Sequence, residues 1–170
     1  MAASWSERLI ESLPVANASY HRLILAVGPA RSSKTAALNE LSAARGWPRI
    51  NVNLRLAEPL IDLTQKLRAV RVAGLLEDLV RETPAEVVLL DNIEILFAEE
   101  LSQDPLRLVQ NLSRNQTIVV AWPGEFDGQS LTYAEPGHPE FRRYSTPEAV
   151  VARAVDTAPS GMSSAPEESE

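Results

Sequence analysis

Short apolar runs alternate along the chain with stretches in which apolar residues recur every three or four positions. The first pattern predicts buried strands, and the second predicts amphipathic helices. Strands are predicted on this basis at 22–28, 49–54, 86–92 and 117–122, with a further short strand at 130–134. The run VVLL inside 86–92 is apolar at four successive positions, which indicates burial on both faces, as in a parallel sheet.

Helices are predicted between and around these strands, at 4–13, 33–45, 58–67, 71–82, 104–114 and 147–155. Ser4 and Asp104 belong to the residue types that cap helix N-termini, and Gly46 is suited to end the helix before it. The alternation of strands and helices predicts an α/β fold in which helices cover a mostly parallel sheet. Ligands of such sheets bind at the carboxyl ends of the strands.

The segment 28–35 follows the first predicted strand and reads Gly-Pro-Ala-Arg-Ser-Ser-Lys-Thr. It fits the Walker A pattern G-x-x-x-x-G-K-[ST], except that Ser33 replaces the second glycine. In that pattern a loop and the N-terminus of the next helix surround phosphate groups, with Lys34 on the terminal phosphates and the Thr35 hydroxyl on Mg²⁺. The alternative interpretation is a strand–turn–helix junction with a chance Lys-Thr. The candidate cofactor-binding residues of this segment are Gly28, Ser32, Ser33, Lys34 and Thr35.

Asp91 ends the apolar run VVLLD, which has the form of a Walker B strand. The Asp of this motif holds Mg²⁺ together with the Ser or Thr of the P-loop, so Thr35 and Asp91 are the candidate metal ligands. The alternative interpretation of Asp91 is a residue that caps a turn at the end of a strand. Many hydrolytic relatives carry Glu directly after the Asp, where this chain has Asn92, which cannot accept a proton. Glu94 is therefore the candidate catalytic carboxylate, and its alternative role is that of a solvated loop residue.

Arg142 and Arg143 lie at the end of a segment, 121–144, that contains most of the aromatic residues of the chain. As candidate catalytic residues they would act as arginine fingers across a subunit interface. The alternative is a pair of solvated surface charges. The segment itself is interpreted as a structured loop and hairpin that closes the sheet edge, or else as a surface that binds a partner or a nucleobase.

Composition narrows the classes of function. The chain has no Cys, which excludes disulfides and Cys-bound zinc and favours a cytoplasmic location. Its net charge of -7 argues against direct binding of nucleic acid, so any such contact is expected to be indirect or through a partner. No apolar run approaches the roughly 20 residues of a membrane helix, and the N-terminal residues lack the apolar core of a secretory signal, so no membrane association is predicted.

Five strings carry a family resemblance: GPARSSKT, INVNLRL, VVLLDNIEILF, QDPLRLVQNLSRNQTIVVAWPGEFDG and LTYAEPGHPEFRRY. Over residues 20–145 they resemble the BrxF family, the small P-loop proteins of type 3 bacteriophage-exclusion (BREX) systems. The resemblance implies a component of bacterial antiphage defence that works with other BREX proteins, typically a larger ATPase, a DNA methyltransferase, an alkaline-phosphatase-like protein and a helicase-like protein. It also implies an ATPase role. The nucleotide-site residues that it carries over are Gly28, Lys34, Thr35 and Asp91.

Together these observations predict a P-loop NTPase-like three-layer α/β sandwich over 20–156. A helical segment at 1–19 would precede it, and a disordered acidic tail at 157–170 would follow it. ATP and Mg²⁺ are the expected cofactors, and a homo-oligomer or a heteromeric partner is expected because a small nucleotide-binding module needs something to act on. The main expectation is an ATPase. The alternatives are a non-hydrolytic switch or assembly scaffold, and a small-molecule kinase, for which no arginine-rich lid segment is recognisable.

Overall fold

The structure is a computed structural model that describes residues 4–29, 32–134 and 137–154. The tail predicted at 157–170 lies outside the described residues. The helices are α1 (Trp5–Asn17), α2 (Lys34–Arg45), α3 (Val52–Ile61), α4 (Gln65–Arg81) and α5 (Pro105–Leu112), with 3₁₀ turns at Glu94–Phe97 and Glu99–Leu101. The strands are β1 (Leu23–Gly28), β2 (Arg49–Asn51), β3 (Val87–Asp91), β4 (Thr117–Phe126), β5 (Ser130–Tyr133), β6 (Arg142–Ser145) and β7 (Val150–Arg153).

Five of the strands form a parallel sheet in the order β2–β3–β4–β1–β7. The pairing of β1 with β4 runs from Leu23 opposite Ile118 to Gly28 opposite Pro123. Beyond this point β4 pairs antiparallel with β5, which pairs antiparallel with β6. A mostly parallel sheet therefore carries an antiparallel hairpin, β5–β6, beyond the carboxyl end of its middle strand.

Helices cover both faces of the sheet, as expected for an α/β sandwich. Side chains of a strand alternate between faces. Leu89 and Val119 pack into one cluster with buried residues of α1 and α2, whereas Leu90 and Val120 pack into a second cluster with buried residues of α3, α4 and α5. All five residues of β3 are buried, which confirms the burial on both faces that its apolar run predicts.

The helix at the N-terminus is part of this sandwich. Trp5 and Leu9 of α1 are buried, and the Trp5 indole Nε1 donates a hydrogen bond to the carbonyl of Ala152 in β7 at 3.2 Å. Ser4 begins the helix with a capping box, in which its side chain and that of Glu7 each accept a hydrogen bond from the other's backbone N–H. The predicted N-cap at Ser4 is thus confirmed. Among the described residues, no helix combines the length and apolar character needed to cross a bilayer.

The predicted helix at 147–155 is wrong. Residues Val150–Arg153 form β7, which pairs parallel with β1 from Ile24 opposite Val150 to Val27 opposite Arg153. The β-branched pair Val150 and Val151 suits a strand. The partner of this strand is β1, which lies more than 120 residues away in the sequence. The local pattern therefore does not reveal the pairing.

The elements between 49 and 82 also differ from their predicted bounds. The predicted strand at 49–54 stops at Asn51, whose side chain accepts a hydrogen bond from the N–H of Leu54 at 3.0 Å and so caps α3. Thr64 caps α4 in the same way. The predicted helices at 58–67 and 71–82 therefore have the wrong bounds. The turn between α3 and α4 falls inside the first predicted helix.

Candidate functional site

The carboxyl ends of β1 and β3 lie at the same edge of the sheet, as the parallel order requires. Gly28 ends β1 and Asp91 ends β3, and β4 runs between these strands. Neighbouring strands are about 4.8 Å apart, so the two backbones are separated by about 10 Å. After β1 the chain enters α2 on one face, whereas after β3 it enters elements that pack on the other face. We call the opening between Gly28 and Asp91 the edge crevice.

Helix α2 starts at the edge crevice without a side-chain cap. Its N-cap residue is Ser33, whose side chain makes no capping hydrogen bond. The other α-helices of the described residues are capped by side chains, which are those of Ser4, Asn51, Thr64 and Asp104. The first N–H groups of a helix have no partner within the helix, and together with the helix dipole they favour an anion. The N-terminus of α2 is thus of the kind that binds phosphate.

The backbone at Ser33 is in the left-handed region, with φ of 72° and ψ of 20°. A residue with a Cβ adopts this conformation at a cost of roughly 1–2 kcal/mol, whereas glycine adopts it freely. Ser33 is the position at which the Walker A pattern has glycine. The loop therefore keeps the backbone conformation that glycine would favour and bears the strain of a serine.

Gly28 is required by close packing in the same loop. A Cβ at this position would clash with the Ser32 side chain, which lies directly over Gly28, and would approach the Cβ of Ala154 to 3.1 Å. Thr35 is exposed on the first turn of α2. The residues predicted to bind phosphate all lie on this one turn between β1 and α2, namely Gly28, Ser32, Ser33, Lys34 and Thr35. Ala30 and Arg31, in the middle of the loop, lie outside the described residues.

The Lys34 side chain folds back over the loop. Its ammonium Nζ donates to the carbonyls of Gly28 and Pro29, at 2.7 Å each, and lies 3.4 Å from the Ser32 hydroxyl. Burial lowers the pKa of Lys34, and the negative charges of Glu94 and Asp91 oppose that shift. The two carboxylates are therefore close enough to act on Lys34 across the edge crevice. A partly desolvated ammonium bonded to neutral carbonyls is a group that a bound anion would stabilise.

On the other side of the edge crevice, Asp91 is an acceptor on both carboxylate oxygens. The residue is only 2% exposed. Its Oδ2 accepts from Arg49 Nε at 3.1 Å and from Arg49 Nη2 at 2.9 Å, and its Oδ1 accepts from the N–H of Asn92 at 2.9 Å. Arg49 is opposite Leu89 in the β2–β3 ladder, two positions before Asp91, so the side chain reaches forward along one face of the sheet.

Asn53, in the first turn of α3, fixes the segment that follows Asp91. Its N–H donates to the carbonyl of Asn92 at 2.8 Å, its side-chain Oδ1 accepts from the N–H of Ile95 at 2.7 Å, and its Nδ2 donates to Glu94 Oε1 at 3.1 Å. Asn92 has a φ of 54°, a left-handed conformation that Asn tolerates. These bonds hold the exposed carboxylate of Glu94 beside the end of β3.

The two candidate arginine fingers lie on β6, in the hairpin. Arg142 Nη2 donates to the carbonyl of Gln103 at 2.8 Å, and Arg143 Nη2 donates to the Ser130 hydroxyl at 3.1 Å. Arg142 is paired with Tyr133 in the β5–β6 ladder. Burial raises the pKa of Tyr133, as do the charges of Glu140 and Glu94. Tyr133 also stacks on Phe97, the last residue of the 3₁₀ turn that begins at Glu94, so the end of the hairpin that carries Arg142 borders the carboxylate side of the edge crevice.

Arg49 and Asn53 are site residues that the sequence does not reveal. Both fall in a stretch, 49–54, whose alternating pattern predicts only a strand. The one available signal is a charged residue at the start of the predicted strand, and it does not identify the partner. Because the contacts of both residues depend on how β2 and β3 pair, they appear only in the folded chain.

Thr35 and Asp91 are the residues at the edge crevice that could contribute ligands to a Mg²⁺ ion. Within the described residues, no three His, Cys, Asp or Glu side chains lie together in a group that could hold a metal ion. A divalent cation here would take ligands from Thr35 and Asp91, with waters or, when a nucleotide is bound, phosphate oxygens completing its coordination. Lys34 and the start of α2 supply positive potential on the loop side of the edge crevice, across from Asp91.

The fold and this edge define an α/β sandwich with an uncapped helix N-terminus and a lysine within electrostatic range of two carboxylates. Comparison of the chain with protein-family models, with curated proteins and with solved structures finds no significant match in any of the three.

Proposed function

We propose that the chain binds a nucleoside triphosphate, ATP, with Mg²⁺ at the edge crevice and hydrolyses it. The observation that carries this proposal is the uncapped N-terminus of α2 at the edge crevice, whose first residue, Lys34, is partly buried and within electrostatic range of Asp91 and Glu94. An uncapped helix N-terminus favours a bound anion, and a phosphate chain would stabilise an ammonium that is bonded only to neutral groups of its own loop. The Walker-like spacing of 28–35 and of VVLLD supports the same assignment.

Each residue has a distinct part in this proposal. The backbone from Ser32 to Thr35 and the Lys34 ammonium bind the β- and γ-phosphates. Thr35 and Asp91 would hold Mg²⁺, which when bound neutralises charge on the phosphates. Glu94 orients the attacking water and accepts its proton, because Asn92 cannot do so. Asn53 keeps Glu94 in place through its 3.1 Å hydrogen bond.

The proposed setting is a bacterial antiphage defence complex. Its support is the resemblance of 20–145 to the BrxF family, together with the Gly28, Lys34, Thr35 and Asp91 pattern. In this setting the chain is cytoplasmic, forms a homo-oligomer or binds other BREX proteins, and reaches nucleic acid through a partner. Arg142 or Arg143 would then leave its present acceptor and contact the nucleotide of a neighbouring copy.

A second candidate function is a nucleotide-dependent switch or assembly scaffold without hydrolysis. The favouring observation is that both oxygens of Asp91 accept hydrogen bonds, from Arg49 and from Asn92. In addition, Glu94 is three positions after Asp91 and exposed. A site of this kind would bind nucleotide and change its assembly with no turnover.

Calorimetry with ATP and ADP in the presence of Mg²⁺ tests the proposal. We expect binding by the wild-type chain, a loss of about 100-fold or more in affinity in Lys34→Ala, and no change in Lys66→Ala, which removes an exposed lysine of α4. Full affinity in Lys34→Ala would exclude this site. Binding without phosphate release, at all protein concentrations and with no partner requirement, would favour the switch.

Complementation between variants tests the trans-acting arginines. If Arg142 serves the neighbouring copy, Lys34→Ala and Arg142→Ala are each inactive alone, and mixing them restores part of the phosphate release. The specific activity of the wild-type chain should also rise with its concentration. No recovery on mixing, for Arg142→Ala or for Arg143→Ala, would remove both residues from the catalytic set.

A further inference from the structure

Arg49 occupies the carboxylate that the proposed function assigns to the metal. Two of its nitrogens, Nε and Nη2, bond to the same oxygen, Asp91 Oδ2, at 3.1 and 2.9 Å. We propose that Arg49 is a resident counter-cation of Asp91, which must leave Oδ2 before Asp91 can hold Mg²⁺, and that it thereby sets how strongly nucleotide binding depends on Mg²⁺. This inference rests on the proposed function and makes Arg49 a positioning residue of the same site.

Burial explains why a cation must be present at Asp91 in the free chain. The side chain of Asp91 is 3% exposed. An ionised carboxylate at such a position is strongly unfavourable unless a positive charge and hydrogen bonds compensate it. Arg49 supplies that charge before any ligand arrives, so the fold does not depend on metal.

Exposure explains why Arg49 can leave. Its side chain is 26% exposed, so the guanidinium has a path to solvent and need not remain buried without a partner. Asp91 has no such path. A replacement of one cation by another at Oδ2 thus costs little on the arginine side, and the carboxylate is compensated both before and after the exchange.

The hydrogen bond at the other oxygen would preserve the orientation of Asp91 during this exchange. Oδ1 accepts from the N–H of Asn92 at 2.9 Å, and Asn92 is in turn bonded through its carbonyl to the N–H of Asn53 at 2.8 Å. Release of Arg49 therefore frees one oxygen of a carboxylate that is still held on its other side. Mg²⁺ is commonly bound through one carboxylate while it keeps waters and phosphate ligands, which matches this arrangement.

Thermal unfolding with and without Mg²⁺ tests the inference with no nucleotide present. Arg49→Gln should lower the melting temperature by several degrees in EDTA, and millimolar Mg²⁺ should restore much of that loss. The wild-type chain and Arg55→Gln, which changes an exposed arginine of α3, should respond little to Mg²⁺. The double variant Arg49→Gln, Asp91→Asn should not be rescued, because no carboxylate remains for the metal. Equal responses to Mg²⁺ in Arg49→Gln and in the double variant would overturn the proposal.

Nucleotide binding gives the second readout. The ratio of ATP affinity with Mg²⁺ to ATP affinity in EDTA should rise by about tenfold in Arg49→Gln, and less in Arg49→Lys, which keeps a weaker cation at the same place. Arg49→Lys also keeps the test valid if Arg49→Gln fails to fold. If the wild-type chain and the Arg49 variant both bind ATP and show the same ratio, the inference is overturned. The proposed function would then still stand. Absence of ATP binding in the wild-type chain would overturn the proposed function itself.

Discussion

The two sides of the edge crevice are built in opposite ways. The loop from Gly28 to Thr35 is held by its own atoms, since the Lys34 ammonium bonds to carbonyls of the same loop. The segment from Asp91 to Glu94 is held by other elements, namely Arg49 of β2 and Asn53 of α3. The loop carries backbone strain at Ser33 and a lysine whose pKa burial lowers, whereas the carboxylate segment has its polar groups bonded.

This difference separates stability from ligand binding. Residues of the carboxylate side should contribute substantially to folding, because their removal leaves buried polar groups without partners. Residues of the loop side should contribute little to folding or even oppose it, because they include the left-handed backbone of Ser33 and the partly buried ammonium of Lys34. The predictions below test that separation.

The largest stability effect is expected for Arg49. In EDTA, Arg49→Met should lower the free energy of unfolding by about 3 kcal/mol, because it leaves a buried carboxylate uncompensated. Asp91→Asn should cost only about 1 kcal/mol, because the released guanidinium reaches solvent and the Asn side chain still accepts from the N–H of Asn92. Urea unfolding of both variants measures the difference. A larger loss of unfolding free energy in Asp91→Asn than in Arg49→Met would show that the cost of burying the carboxylate is not the main energetic term of the Arg49–Asp91 pair.

A smaller loss is expected for Asn53. Asn53→Ala removes two side-chain hydrogen bonds and should lower the free energy of unfolding by about 2 kcal/mol. Asn111→Ala, which changes an exposed residue of α5, is the matched control and should stay within about 0.5 kcal/mol of the wild-type chain. The same urea titrations report both values. Equal stability of the two variants would mean that Asn53 does not support the carboxylate side.

On the loop side, Ser33→Gly should raise stability slightly. The gain is expected to be about 0.5 kcal/mol, since relief of the left-handed strain exceeds the entropy cost of glycine. Ser102 has a similar conformation, with φ of 53°, and lies in the turn after Leu101, away from the loop. Ser102→Gly should give the same gain in stability, and only Ser33→Gly should also change the affinity for ATP. A loss of stability in Ser33→Gly alone would show that the serine side chain stabilises the loop.

The smallest effect is expected from the titration of Lys34. Its folded-state pKa is below the ordinary lysine value of 10.5, so the protonated lysine destabilises the folded chain at neutral pH, and this penalty disappears as the pH rises from the folded-state pKa towards 10.5. The wild-type chain should therefore gain stability relative to Lys34→Met as the pH is raised from 7 to 10. A fall in the stability of the wild-type chain relative to Lys34→Met would reverse the assigned direction of the pKa shift.

Much of the fold follows from the sequence because it depends on local pattern. The apolar runs predict β1, β3 and β5 closely and the first part of β4, and polar caps predict the starts of α1 and α5. Gly46 ends α2 in the left-handed conformation that glycine favours, as predicted. Continuous burial of β3 indicates a sheet covered on both sides, which is the architecture found.

For the candidate site, the sequence predicts which residues lie at the same edge of the sheet, but it does not predict most of their hydrogen bonds. Ends of parallel strands meet at one edge, so the spacing of Gly28, Lys34 and Asp91 is enough to bring them to a common crevice. The nucleotide and metal assigned to them remain predictions. The hydrogen bonds of Arg142 to Gln103 and of Arg143 to Ser130 have no sequence signal, because they join segments whose proximity depends on the β5–β6 hairpin.

What the sequence by itself determined is the set of amphipathic and apolar segments, their caps and the identity of the polar residues at the strand ends, since each depends on neighbours within a few positions. Tertiary structure alone decided that 150–153 is a strand beside β1, that Arg49 compensates Asp91, and that Asn53 holds Glu94. These features depend on which strand pairs with which. That choice is made by burial of the whole sheet between two layers of helices, and a window of sequence does not contain it.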